Sequence, residues 1–169
     1  GLSSDGSTVA IGSIYNSNPN GSGSGHVRVY KLISGVWTQQ GGDIDGEAAN
    51  DQSGASVSLY SDGTIVGKGA RFNDGGASDA GHVRVYKLIS GVWTQQGSDI
   101  EGEAASDWSA GSVSLSSDGS IVAIGAILND GNGSSSGHVR VYKLISGVWT
   151  KQGADIDGEA ASDQSGQSV

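Results

Sequence analysis

One block constrains everything else in this 169-residue chain. GHVRVYKLISGVWTQQG stands at Gly25–Gly41, stands again unchanged at Gly81–Gly97, and returns at Gly137–Gly153 with Lys151 as its only substitution. His26, His82 and His138 fall at intervals of 56 residues. The first repeat carries one extra residue in its Asn16–Ser24 loop, so one unit of 57 and two of 56 account for the whole chain. Fixed-period self-similarity of this length means stacked copies of one supersecondary unit, and units are counted before domains. The register also closes on itself, because Gln164–Val169 followed by Gly1–Gly6 reads as the pattern that runs unbroken through Gln52–Gly63. Residues 1–169 therefore read as a single segment of three units. The cut unit is shared between 164–169 and 1–49, and linkers fall near 43–54, 99–110 and 155–166.

Within a unit the pattern is that of strands. Ala55–Tyr60 alternates, with Val57 and Leu59 on one face and Ser56 and Ser58 on the other, the period of a half-buried strand. Asp62-Gly63 then predicts a type I′ hairpin turn. Ser120–Ala126 is an almost unbroken apolar run, which predicts an interior strand covered on both faces. Gly137–Ile145 alternates again, setting Val139 and Val141 opposite His138, Arg140 and Tyr142. Ser146-Gly147 turns the chain into a fourth strand, Val148–Gln152, that carries Trp149. Four short strands in a meander, repeated at this period, are the signature of a propeller blade. The predicted fold class is an all-β propeller of four-stranded antiparallel blades, three to the chain. A β-solenoid is the nearest rival, but its coils are shorter and need no hairpin inside each unit.

The stretch SGASVSL (Ser53–Leu59) followed by Asp-Gly, then VAIGA (Val122–Ala126), then GHVRVY (Gly137–Tyr142), resembles the FG-GAP repeat. That repeat is the blade unit of integrin alpha-chain propellers and of many secreted bacterial proteins. SSDGSTVA (Ser3–Ala10) is similar to the corresponding turn of a WD40-like blade. Either resemblance implies a propeller with a binding role, at an extracellular or cell-surface location. FG-GAP blades often carry an Asp-rich calcium loop in the first hairpin. Here that loop keeps only Asp5-Gly6, Asp62-Gly63 and Asp118-Gly119, with Ser114, Ser116 and Ile121 at other ligand positions of the third repeat. One carboxylate does not make the multi-oxygen cage that calcium needs, so no cofactor is expected there.

Composition removes several partners. The net charge is −9 and the nine Lys and Arg are dealt out along the repeats, so a nucleic-acid backbone or an anionic membrane would be repelled rather than steered in. With no cysteine there is neither a disulfide framework nor thiol chemistry. No segment reaches the roughly 20 apolar residues that span a bilayer, so membrane insertion is not expected. A chain with no Met and no signal-like start reads as a mature or fragmentary product.

The candidate sites each carry two readings. The acidic groups Asp43 and Asp45, Asp99, and Asp155 and Asp157 offer weak cation binding, or they pair with Arg28, Arg84 and Arg140 in the interblade loops. The three His are spread around a ring by the repeat, which assigns them a structural role rather than a shared metal. Trp37, Trp93 and Trp149 are packing anchors of the outer strand, or one sugar-stacking face per blade. The second repeat departs in a group. Tyr60, Gly67, Lys68, Arg71 and Phe72 stand where the third has Ser116, Ala123, Ile124, Ile127 and Leu128, and Trp108 replaces Gln52 and Gln164. Lys68 in an interior strand must be paired, snorkel or meet a solvated channel. Lys68, Arg71 and Trp108 therefore join the blade Trp residues as ligand-binding candidates.

No nucleophile–base pair and no SxDxGxTW box is visible, so a non-catalytic binding or adhesion module is expected, not an enzyme. Its ligand would be a glycan or an extracellular protein held by the loops of one propeller face. The alternatives are a structural spacer in a long repetitive surface protein and a multivalent lectin that uses the blade Trp. Propellers close with four to eight blades, and three alone leave two apolar faces bare. A second copy, joined head to tail about a twofold axis, would complete a six-bladed ring as a homodimer; continuation into a longer chain is the alternative.

Overall fold

The computed structural model describes residues 1–169 as fourteen β-strands and no helix. The first blade comprises β1 (Thr8–Ser13), β2 (His26–Ile33), β3 (Val36–Gln39) and β4 (Ile44–Asp45). The second comprises β5 (Ser56–Leu59), β6 (Ile65–Ala70), β7 (His82–Ile89), β8 (Val92–Gln95) and β9 (Ile100–Glu101). The third comprises β10 (Ser109–Leu115), β11 (Ile121–Ala126), β12 (His138–Ile145), β13 (Val148–Lys151) and β14 (Ile156–Asp157). Each blade is an antiparallel meander in sequence order. The all-β, three-bladed architecture expected from the repeat is the one observed. β10 packs on β5 and β6, and β5 on β1, so the first strands crowd together along one side and β3, β8 and β13 form the rim.

The apolar interior strand is explained by where the core lies, which is between the blades. At the first joint Val27, Val29 and Ile44 of one blade meet Leu59, Val66, Tyr86 and Trp93 of the next. At the second, Val83, Val85 and Ile100 meet Val113, Val122, Ile124 and Trp149. A blade sheet thus loses water from both faces only where it has a neighbour on each side. Gly12, Gly69 and Gly125 set how close the blades come, since a Cβ at any of them would run into the backbone carbonyl of Gly54, Ala110 or Gly166.

Two local details differ from the sequence reading. The Asp-Gly turn is not type I′: Gly63 is at φ +80° but Asp62 is not left-handed. The turn is closed by Gly63 N–H donating to the Tyr60 carbonyl at 2.9 Å, and the Asp62 carboxylate accepts from the Thr64 N–H at 2.8 Å. An Asp side chain that caps its own turn in this way favours an ordinary turn followed by a left-handed Gly. The type I′ geometry falls instead at Ser34-Gly35, Ser90-Gly91 and Ser146-Gly147, where both φ values are positive and the flanking residues pair, as Ile33 does with Val36. The second difference is that the outer strand is split. β3 pairs with the far half of β2, and β4, inside the expected 43–54 linker, pairs with its first residues, Val27 opposite Ile44.

Each joint is latched at the rim. The Trp93 indole N–H donates to the Gln40 carbonyl at 2.8 Å, and that of Trp149 donates to the Gln96 carbonyl at 2.7 Å. Replacing Trp149 by Ala removes the ring and leaves a cavity, an expected loss of about 3 kcal/mol. Trp149→Phe keeps most of the apolar area and loses the hydrogen bond, at about 1 kcal/mol. Urea unfolding midpoints of the two variants check both the order and the size.

Candidate functional site

The same block places the same side chains at each joint. The alternation of β2, β7 and β12 turns His and Arg to the face that meets the preceding blade, and the acidic linker of that blade meets them there. Arg84 grips Asp99 of its own blade through Nε and Nη2, at 2.7 and 2.5 Å, and also reaches Glu47 of the preceding one. Arg140 repeats this with Asp155 at 2.8 and 2.7 Å and with Glu103 across the joint. Arg28 holds Asp43 at 2.9 and 2.7 Å and has no preceding blade to reach. Asp43, Asp99 and Asp155 therefore lie in ion pairs with the repeat's arginines. The Arg beside Asp43 holds its carboxyl at about 2, below the usual carboxylate range.

His26, Asp43 and Asp45, then Glu47, His82 and Asp99, then Glu103, His138 and Asp155, each bring three ligand-type atoms within 4.8 Å. A guanidinium is already bound to one or two of the carboxylates in every group. Asp157 pairs in β14 opposite His138. The hairpin carboxylates are engaged within their own turns; Asp118 accepts from Ser116 Oγ at 2.6 Å and from Ser120 N–H at 3.0 Å.

The histidines are buried. His82 is 2 % exposed, its Nδ1 has no hydrogen-bond partner, and burial pushes its pKa down to about 4 against the pull of Asp99. Burial also lowers the pKa of His138, helped by Arg140, so its imidazole is neutral at pH 7. Next to His138 the second joint leaves a partly open cavity of about 10 Å³, lined by Ile100, Glu101, Glu103, Ser109, Ile124, His138, Arg140 and Tyr142. Burial raises the pKa of Glu101 beside it.

The first joint has no such cavity, and the reason is Lys68. It occupies the position of Ile124, is buried, and carries its Nζ across to the Asp45 carbonyl at 2.6 Å, over the Tyr86 ring at 5.6 Å. Burial lowers its pKa to about 8. Two other departures of the second repeat, Arg71 and Phe72, meet Trp108 in one contact at the second joint. Phe72 meets Trp108 edge-on at 5.3 Å between centroids, and the Arg71 guanidinium lies over both rings, at 4.8 and 5.7 Å. Trp108 takes φ +52°, the left-handed conformation that Gln52 and Gln164 also take at this position. Nothing in the spacing of 71, 72 and 108 announces that contact. Glu47 and Glu103 were legible only as members of an acidic run, and the cross-joint grip on Arg is what singles them out. Trp93 and Trp149 are rim latches, whereas Trp37 lies 47 % exposed on the open face of the first blade.

No protein-family model matches the chain, and no curated protein matches it in sequence. Among solved structures it is similar to a putative 6-phosphogluconolactonase from Bacteroides uniformis, at 15 % identity and TM-score 0.60, over 93 % of this chain and 39 % of that one. It is also similar to the periplasmic gluconolactonase of Pseudomonas aeruginosa, at 16 % identity and TM-score 0.48, over 86 % of this chain and 38 % of that one. The chain thus spans well under half the length of either. The first of these, at TM-score 0.60, corrects the FG-GAP resemblance, and WD40 with it: no family model supports either, and individual hairpin motifs are too short to tell groups of propellers apart. It also corrects the expectation of a non-catalytic binding module, to which the spacer and the lectin were the alternatives. That expectation took a propeller to imply binding without chemistry, and the structure matched at TM-score 0.60 bears the name of a hydrolytic enzyme, a putative 6-phosphogluconolactonase.

Two stability effects follow from the buried basic groups. Folded His82 stays neutral down to about pH 4, whereas an unfolded His binds its proton near 6.5. Between those values the unfolded chain holds the extra proton, so stability falls as pH drops from 6.5 towards 4. Urea midpoints measured across that range should decline, and should decline less steeply in His82→Gln. Lys68→Ile restores the residue type of the flanking repeats and removes a desolvated charge, with an expected gain of about 1–2 kcal/mol at pH 7, read as a raised urea midpoint.

Proposed function

We propose that this chain is a three-blade part of a propeller hydrolase that opens a cyclic sugar ester, a lactone, at the second joint. The observation that carries this reading is the cavity of about 10 Å³ beside His138, the room of a single water, bounded by a neutral imidazole, two carboxylates and a guanidinium. The likeness of the fold to a putative 6-phosphogluconolactonase supports the substrate class. Opening a lactone needs a base for water, positive charge for the developing oxyanion, and a proton for the departing ring oxygen.

The residues offer each of these. His138, kept neutral by burial, takes a proton from the cavity water as its oxygen attacks the ester carbonyl carbon. Arg140 keeps its charge at all working pH and stands ready for the carbonyl oxygen as that becomes negative. The tetrahedral species collapses, the bond from acyl carbon to ring oxygen breaks, and the ring oxygen recovers the proton from His138. The product is the open hydroxy acid. Glu103 and Asp155 hold Arg140 in place through the ion pairs described above. At the first joint the same trio is present, but Lys68 takes up the space, which restricts the chemistry to one joint.

The test is proton release from δ-gluconolactone in a pH-stat, against the spontaneous rate. A rate above the blank is expected, falling about 100-fold or more in His138→Ala and retained in His82→Gln. Because the imidazole must be unprotonated to act, the rate should decline on acidification along a limb below pH 6.5. A rate equal to the blank overturns the reading.

A further inference from the structure

The two joints inside the chain are built from the same pairs of residues, and each end of the chain displays one unmatched half. On the open face of the first blade, Val9, Ile11, Tyr30 and Trp37 line a hollow of about 370 Å³. Their counterparts in the third blade, Val122, Tyr142 and Trp149 among them, pack into the second joint, where Trp149 is only 8 % exposed. The Arg28 side chain is 42 % exposed, against 16 % for Arg84 and 15 % for Arg140, because it has no Glu from a preceding blade.

The open face of the third blade shows the complementary half. Ile156 is 58 % exposed, whereas Ile44 and Ile100 at the same place are each 4 %. Glu159 stands where Glu47 and Glu103 stand, exposed and with no Arg to hold. A Cβ added to Gly41 or Gly97 would lie 2.9 Å from the indole of the following blade, while one added to Gly153 would meet nothing within 4 Å. Gln164–Val169 already lies in position for a following blade, held by Ser112 Oγ donating to the Gly166 carbonyl at 2.7 Å.

We propose that these two faces are halves of one joint, and that the occupant of each is the other face on a second copy of this chain. Trp37 would donate to the Gln152 carbonyl of the second copy, as Trp93 does to Gln40, and Arg28 would take its Glu159. The charge match and the continuity with two joints already formed select this occupant over an unrelated partner. Two copies joined head to tail at both faces close under a twofold axis and make six blades, within the range of four to eight in which propellers close. Nothing in this pairing requires the hydrolytic reading.

Native mass spectrometry and sedimentation at about 10 μM chain test it, because a heterologous contact that closes gives one discrete species. The expected mass is twice the 16.9 kDa of the chain. Glu159→Arg sets like charges together, and Trp37→Ala empties the rim latch. Both changes are at exposed positions, so each blade should keep its fold, read as unchanged far-UV circular dichroism. Each should raise the dimer Kd at least about 10-fold, the scale of a lost anchor residue. Three results would overturn the proposal: a wild-type mass of 16.9 kDa, a dimer whose Kd neither substitution moves, or species that grow past the dimer with concentration.

Discussion

A blade of this protein cannot bury itself. Its sheet has two apolar faces, and hydrophobic burial at roughly 25 cal/mol per Å² is gained only when another blade covers each of them. The joint between blades, not the sheet, is thus the unit of stability, and both hydrophobic clusters of the chain lie at joints. Everything else is arranged around that contact. Gly12, Gly69 and Gly125 let backbones approach, the Trp of one blade hydrogen-bonds the rim of another, and the Arg and Glu pairs fix the two sheets in register at the loop end.

The architecture was readable because the joint imposes a period on the sequence. Alternation in β12, the apolar run of β11 and the Ser-Gly turns of the rim hairpins each follow from a local rule, and the repeat multiplies every such signal by three. Less was readable where the outcome depended on a partner distant in sequence. β4, β9 and β14 are two-residue strands in what reads as a polar linker; Ile44 and Ile100 drop into a joint, while β14 holds its pairing of Ile156 with Val139 without one. The Asp-Gly turn departs from type I′ because the Asp carboxylate caps the turn itself. Arg71, Phe72 and Trp108 looked like separate departures from the repeat, yet they are a single cation–aromatic contact spanning two blades. The functional class was the least legible. Blade motifs specify packing, and packing is shared by propellers of very different use.

The two joints show how a substitution alters the space inside a repeated scaffold. Both carry a buried His, an Arg held by its own blade's Asp, and a Glu from the preceding blade. They differ at the residue facing that trio, Lys68 in one and Ile124 in the other. The lysine spans the gap, satisfies an Asp45 carbonyl and leaves no space, while the shorter isoleucine leaves room for a water next to a neutral imidazole. A joint filled by a lysine and a joint with room for a water thus share the electrostatic frame that the repeat supplies in advance.

The near-identity of the three blocks has a physical consequence of its own. Gly25–Gly41 contains both the donor half of the rim latch, Trp37, and the acceptor half, the Gln40 carbonyl, so the block is complementary to itself across a joint. Any unit built on it can follow any other, and nothing in the latch limits how many do. What must limit the number is the angle each joint subtends, which is set where the inner strands pack against the glycines rather than at the rim. The same self-complementarity makes an uncovered face hazardous, since it fits every other uncovered face of its kind. A ring is the arrangement that leaves no such face.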